Sequence, residues 1–266
     1  MVNKIMEEQI MSHKFHEFLY GYNTEERTNF LKKMEKHYPI TYGEDVPMGI
    51  YLEPYGISTC ERDKELVDKD KLLMLGIASR EYLKNLIAYN IVSHIEKNSI
   101  VMGQIENEMI DFLNGYKFDR KEKVISVQNY LKELRETLNI CQENYNSILL
   151  NGSAHPQMYD FPSDFYDIEW FGKDLKKILN NNGQFNIIVD YRNPIVLESA
   201  NAIMSIVNSR CAGTICMKIA TDMEKWPTYT DLNGRFVEYI HDYSIVELDD
   251  SYRKTLDKRI ARFRNK

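Results

Sequence analysis

The sequence lacks several things that would have placed it quickly. No window approaches the 18 or so consecutive apolar residues that a membrane-spanning helix needs. The opening Met-Val-Asn-Lys-Ile-Met-Glu-Glu has no apolar run of the secretory kind. Both absences predict a cytoplasmic protein with no membrane partner. The four cysteines, Cys60, Cys141, Cys211 and Cys216, include no CxxC pair. That argues against a zinc site or a disulfide framework and predicts buried thiols. No serine or cysteine nucleophile motif occurs, which disfavours a hydrolase working through covalent chemistry. There is no internal repeat and no low-complexity linker. What remains is 266 residues, 43% hydrophobic and 28% charged, a composition that folds as one globular domain with room for a sizeable insertion.

Charge is unevenly spread. The whole chain carries −6, but Ser251 to Lys266 hold seven basic side chains and one acid, so the body carries −12. An acidic body is a poor general surface for nucleic acid, whose binding strength comes mostly from neutralised phosphates. The tail alone could bind DNA. It reads better as a terminal helix, with an acidic start at Glu247, Asp249 and Asp250 and a basic end at Arg262, Arg264 and Lys266 that suit the helix dipole.

Proline is scarce, and its seven positions divide the chain, because it is excluded from helix interiors and central strands. Tyr55 to His155 has none. Within it Val124, Val127, Leu131, Leu134, Leu138, Cys141, Tyr145 and Ile148 alternate spacings of three and four, one stripe of a long helix. Leu83, Ile87, Ile91 and Ile95 repeat every four residues between about Lys69 and Lys97. The pattern predicts a helical insertion over about 66–150, built as an antiparallel hairpin that projects from the sheet. Gln104 to Leu113 is a short third helix.

Outside the insertion, strands alternate with helices. Strands are expected at Lys14 to Tyr20, Met48 to Glu53, Phe185 to Asp190, Thr214 to Thr221 and Tyr243 to Leu248. Helices are expected at Asn23 to Tyr38, Trp170 to Asn181 and Ile195 to Ser209. This predicts an α/β fold, a mainly parallel sheet flanked by helices. Ligands of such sheets bind beyond the carboxyl ends of the strands. There the first strand runs into Gly21-Tyr22-Asn23-Thr24-Glu25-Glu26-Arg27-Thr28. A phosphate loop would read G-x-x-x-x-G-K-[ST]. Gly21 and Thr28 match by position, Arg27 stands for the lysine, and Glu26 replaces the second glycine. The alternative is an ordinary capping box, with Asn23 as N-cap and Glu26 three residues on.

The order of elements, with Asn186-Ile187-Ile188-Val189-Asp190 as an apolar strand ending in an acid, resembles the core of P-loop NTPases of the AAA and origin-recognition-like kind. The resemblance implies ATP and magnesium as cofactors. Gly21, Asn23, Arg27 and Thr28 would lie at the nucleotide, Asp190 and Thr28 at the metal, and Thr221 in the sensor position. Tyr191 stands where the family carries a catalytic Glu, so it implies ATP binding with weak or absent hydrolysis and names no catalytic residue. The alternative function is a non-enzymatic module that meets a protein through the helical insertion or DNA through the basic tail, as a monomer or an oligomer.

Three further groups invite attention. Arg192 could pair with Asp190 or with a phosphate, and Arg210 could reach a neighbouring subunit. His155, Tyr159, Asp160, Asp164, Tyr166, Asp167 and Glu169 form an acidic, aromatic stretch that matches no closed metal pattern and reads better as a loop or partner surface. Arg235 and His241, with Asp242 able to orient the imidazole, lie in a loop expected to be structural.

Overall fold

A computed structural model describes residues 2–21, 23–54, 69–115, 123–151, 168–192, 195–209, 213–222 and 226–248. The basic tail, Arg210 and the stretch from His155 to Asp167 lie outside these residues. Five strands, β1 (His16–Tyr20), β2 (Met48–Leu52), β3 (Phe185–Asp190), β4 (Ile215–Ala220) and β5 (Tyr243–Glu247), form one sheet in the order β2-β3-β4-β1-β5. Every pairing in it is parallel. β3 and β4 are buried at all six positions each, which is why both read as short continuous apolar runs.

Helices cover both faces. Alternate strand residues Leu19, Ile188 and Ala220 pack against Ile10 and Met11 of α1 (Val2–Ser12) and against Phe30, Leu31 and Met34 of α2 (Thr24–His37). The sequence reading did not foresee α1. On the other face Phe18, Ile187, Met217 and Ile219 share a core with α3 (Lys69–Lys97), α4 (Ser99–Gly115), α5 (Val127–Asn151), α6 (Ile168–Ile178) and α7 (Leu197–Asn208).

The insertion is helical as its periodicity predicts, and the third helix is longer than Gln104 to Leu113. Leu83, Ile87, Ile91 and Ile95 are buried, as are Val127, Leu134, Cys141, Tyr145 and Ile148. The antiparallel course of α3 and α5 is marked at one end by Lys71 Nζ donating to the Leu149 carbonyl and at the other by Gln128 donating to Glu96. The hairpin does not project. The stripe of α3 and the first half of that of α5 share one hydrophobic core with the sheet, while Tyr145 and Ile148 pack with Leu75 and Ala78 in a smaller cluster between the two helices, and Tyr145 donates to the buried Glu198 of α7 at 2.9 Å. Packing the α3 stripe against the sheet and α7 as well as α5 removes more apolar surface from water than a two-helix arm would.

Two details position the site. Gly21 ends β1 with φ +103, a conformation that glycine adopts without the clash a Cβ brings. At Gly49 a Cβ would stand 3.2 Å from the Glu35 Cα, so glycine lets the α2 backbone lie directly against β2.

Candidate functional site

The carboxyl edge of the sheet gathers residues from α2, β2, β3 and β4. α2 begins at Thr24, earlier than a helix following a phosphate loop would. Asn23 is its N-cap, with extended backbone, and its side-chain oxygen accepts from the Glu26 amide at 3.0 Å. The Arg27 amide donates to the Asn23 carbonyl at 2.9 Å. An N-cap, the Asn23 half of a capping box, is therefore what this segment forms, and these two N–H groups, which would otherwise face an anion, are engaged within the helix start. Glu25 and Glu26 are exposed in the first turn, where the helix dipole favours acids.

Four residues on, the same helix turns inward. Arg27 and Thr28 are buried and meet Asp190, the last residue of β3, itself 2% exposed. Thr28 Oγ1 donates to Asp190 Oδ2 at 2.5 Å. Arg27 Nη2 donates to the Tyr191 carbonyl at 3.1 Å, and its Nε lies 3.6 Å from Asp190 Oδ1. Asp190 Oδ1 and Arg27 Nε are both buried with no hydrogen-bond partner among the described residues. Of the residues singled out from sequence, Arg27, Thr28 and Asp190 thus come together. Gly21 supplies the turn out of β1, and Asn23 is committed to the cap. Thr221 is buried at the end of β4, its amide donating to the Leu19 carbonyl at 3.1 Å. The place of β4 between β1 and β3 puts it between Gly21 and Asp190 along the edge.

Tyr191 points away. It follows Asp190 on the opposite face, 5% exposed, with its ring edge-on to Trp226 at 6.3 Å between centroids. Burial, and then the neighbouring Tyr82, push its phenol far above the usual range. Its side chain belongs to the core, while its carbonyl joins the cluster through Arg27.

The sequence reading missed the contribution of β2. Tyr51 donates through its hydroxyl to Glu53 at 2.7 Å and lies 3.0 Å from Asp190 Oδ2, joining two carboxylates. Arg192 pairs with Glu53, approaches the Tyr51 hydroxyl at 3.3 Å and sets its Nε 3.5 Å from Asp190. Lys32 of α2 stands 3.7 Å from Glu53 and over the Tyr51 ring. Burial first, then the bond to Glu53, push the Tyr51 phenol well above its usual range, while the bond to Arg192 opposes them. The signal was available: Tyr51-Leu52-Glu53-Pro54 ends a parallel strand, where the same rule that selected Asp190 applies.

Three cations, Arg27, Arg192 and Lys32, thus surround two acids, Asp190 and Glu53. An acid pair with a threonine hydroxyl is donor chemistry for a hard cation. Two guanidinium groups already stand against Asp190, however, and carry the same sign of charge. The arrangement does not fit a magnesium ion.

The described bonds of the remaining groups are local. Asp242 accepts the Glu238 amide at 2.8 Å and does not orient His241, which is 79% exposed. Asp231 holds the turn before Arg235 by accepting the amides of Asn233 and Arg235, each at 2.8 Å. Glu169 pairs along α6 with Lys173. Among the described residues no helix is long and apolar enough to cross a membrane. Comparison with known proteins finds no matching family, no matching curated protein and no matching solved structure.

Proposed function

We propose that the chain is a P-loop NTPase-like core whose nucleotide site has become internal structure, so that ATP binds weakly if at all and is not hydrolysed. Arg27 is the observation that carries this reading. In the resembling family a basic residue here reaches outward to phosphates and the acid ending the strand holds magnesium. Here the guanidinium turns inward onto Asp190 and the Tyr191 carbonyl, in the space both would need. The Asn23 cap and the exposed Glu25 and Glu26 add a helix start that repels a triphosphate. Convergence of Thr28, Asp190 and Thr221 on one edge supports descent from such a core.

A core without turnover serves as a scaffold. A protein partner on the helical insertion is one form of that role. Association through the basic tail with DNA is the competing form of the same role.

The test is thermal melting with ATP, ADP and GTP, each with magnesium. A ligand at a hundred times its dissociation constant adds about 2.7 kcal/mol, so a bound nucleotide registers as a clear shift. The expected result is little or no shift and no phosphate release. Replacing Glu26→Gly with Arg27→Lys should restore nucleotide binding by reopening the loop. Brisk hydrolysis by the unmodified chain, abolished by Asp190→Ala, would overturn the reading. If the reopened loop binds nothing either, the phosphate-loop ancestry is wrong and the scaffold role stands alone.

A further inference from the structure

The helical insertion and the acid cluster meet through one strand residue. Tyr51 sits in β2 with its amide turned toward α2 and its hydroxyl in the cluster. Its amide donates to Glu35 Oε1 at 2.9 Å, and its hydroxyl contacts Asp190 Oδ2 at 3.0 Å. The same Glu35 oxygen meets His94 Nε2 of α3 at 2.9 Å. The other ring nitrogen of His94 lies 2.7 Å from the Asn90 carbonyl one turn earlier in α3, which fixes the imidazole plane. Thus a continuous chain of contacts runs from α3 through Glu35 and the Tyr51 backbone and side chain to Asp190. Lys32, on the same face of α2, adds charge near both Glu35 and Glu53.

We propose that His94, Glu35, Tyr51 and Asp190 form a relay that couples the helical insertion to the acid cluster, so that a partner pulling on α3 is felt at the carboxyl end of β3. The coupling is physical because Tyr51 cannot shift along its strand axis without changing both of its bonds. One is to the clamp beneath α3, the other to the cluster. Glu35 is a well-made joint. Burial alone would raise its carboxyl, but the bonds from His94 and the Tyr51 amide, with the charges of His94 and Lys32, hold it below the usual carboxylate range. The relay does not depend on whether the cluster takes a nucleotide, and its test contains none.

The test uses the full chain, amide exchange and the Arg27 Nε–H resonance, which reports on the cluster because that nitrogen lies 3.6 Å from Asp190. His94→Gln should speed exchange of the Tyr51 amide about tenfold and shift the Arg27 signal. The Gly49 amide, held by the Tyr38 carbonyl and outside the relay, should be unchanged. In a Tyr51→Phe background the His94→Gln substitution should still loosen the residue 51 amide but no longer move the Arg27 signal. Glu35→Gln provides a second entry into the chain should His94→Gln not fold, with the same pattern expected. If neither substitution moves Arg27, or if Tyr51→Phe leaves the shift intact, the relay is wrong and the contacts are independent.

Discussion

Two buried acid–base pairs lie at the sheet, one near each end, and they are built differently. Near the amino end of β1, Lys218 is fully buried and Glu17 nearly so. The ammonium has three donors and uses all three, on the His13 carbonyl (2.9 Å), the Phe15 carbonyl (3.0 Å) and Glu17 Oε2 (2.7 Å). Glu17 Oε1 is met by His13 and, at 3.4 Å, by Ser244. At the carboxyl end Asp190 and Arg27 are as deeply buried but leave Oδ1 and Nε facing each other without a hydrogen bond. A saturated pair has nothing to offer a ligand and serves to tie β1, β4 and β5 together. An unsaturated pair at the edge where parallel sheets bind ligands has the composition of a site. Here the protein's own cations, Arg27 and Arg192, stand against it.

The contrast can be broken by removing one partner at each end. Lys218→Met should cost most, about 3–5 kcal/mol in urea unfolding, because it strands the Glu17 carboxylate in the core. A loss below about 1 kcal/mol would show that the amino-end pair is not a tie. Asp190→Asn keeps an acceptor for Thr28 and should cost less, about 1–3 kcal/mol. Were its cost to exceed that of Lys218→Met, the carboxyl end would be the structural one and the comparison would be reversed.

Acid should sharpen the difference through His16. The ring is buried and accepts the Met217 amide at Nδ1. Burial first, then the charge of Lys218, hold its pKa down to about 3. The native ring is therefore neutral while an unfolded one takes up a proton below about 6.5. Stability is full above that value and falls as the pH drops from about 6.5 toward 3, by up to about 1.4 kcal/mol per pH unit. His16→Asn, compared with the parent between pH 7 and 4, should flatten that slope, and an unchanged slope would assign the loss to other groups. The smallest effect is expected at the helix start, where Asn23→Ala removes the bond to the Glu26 amide and should cost about 1 kcal/mol. No loss there would mean that the cap is not what closes the loop.

How far these features could be read from sequence follows from their physical range. β3 was legible to the residue, because a strand buried on both faces is a continuous apolar run with sharp ends. The Asn23 cap was legible because its partners are three residues apart. The meeting of Thr28 with Asp190 followed from element order, since parallel topology sends both to one edge. The direction of Arg27 was not legible. Whether a guanidinium turns out to a phosphate or in to a carboxylate depends on neighbours more than a hundred and sixty positions away. Lys218 and Glu17 were invisible for the same reason: inside an apolar strand a lysine gives no local hint of its counterion. The packing of the hairpin was misjudged because a helical stripe declares that it is buried but not against what.

The close approach of α2 to β2 has one more consequence, for how the molecule behaves in a crowd. β2 is an outermost strand of the sheet, and its outward amides at 49 and 51 are the row that another chain's strand would pair with. The Tyr38 carbonyl takes the first and the Glu35 carboxylate the second, and neither can be reached while glycine at 49 lets the helix lie flat. A side chain at that position would press on the Glu35 Cα at 3.2 Å, so glycine here helps keep both outward amides covered along that flank.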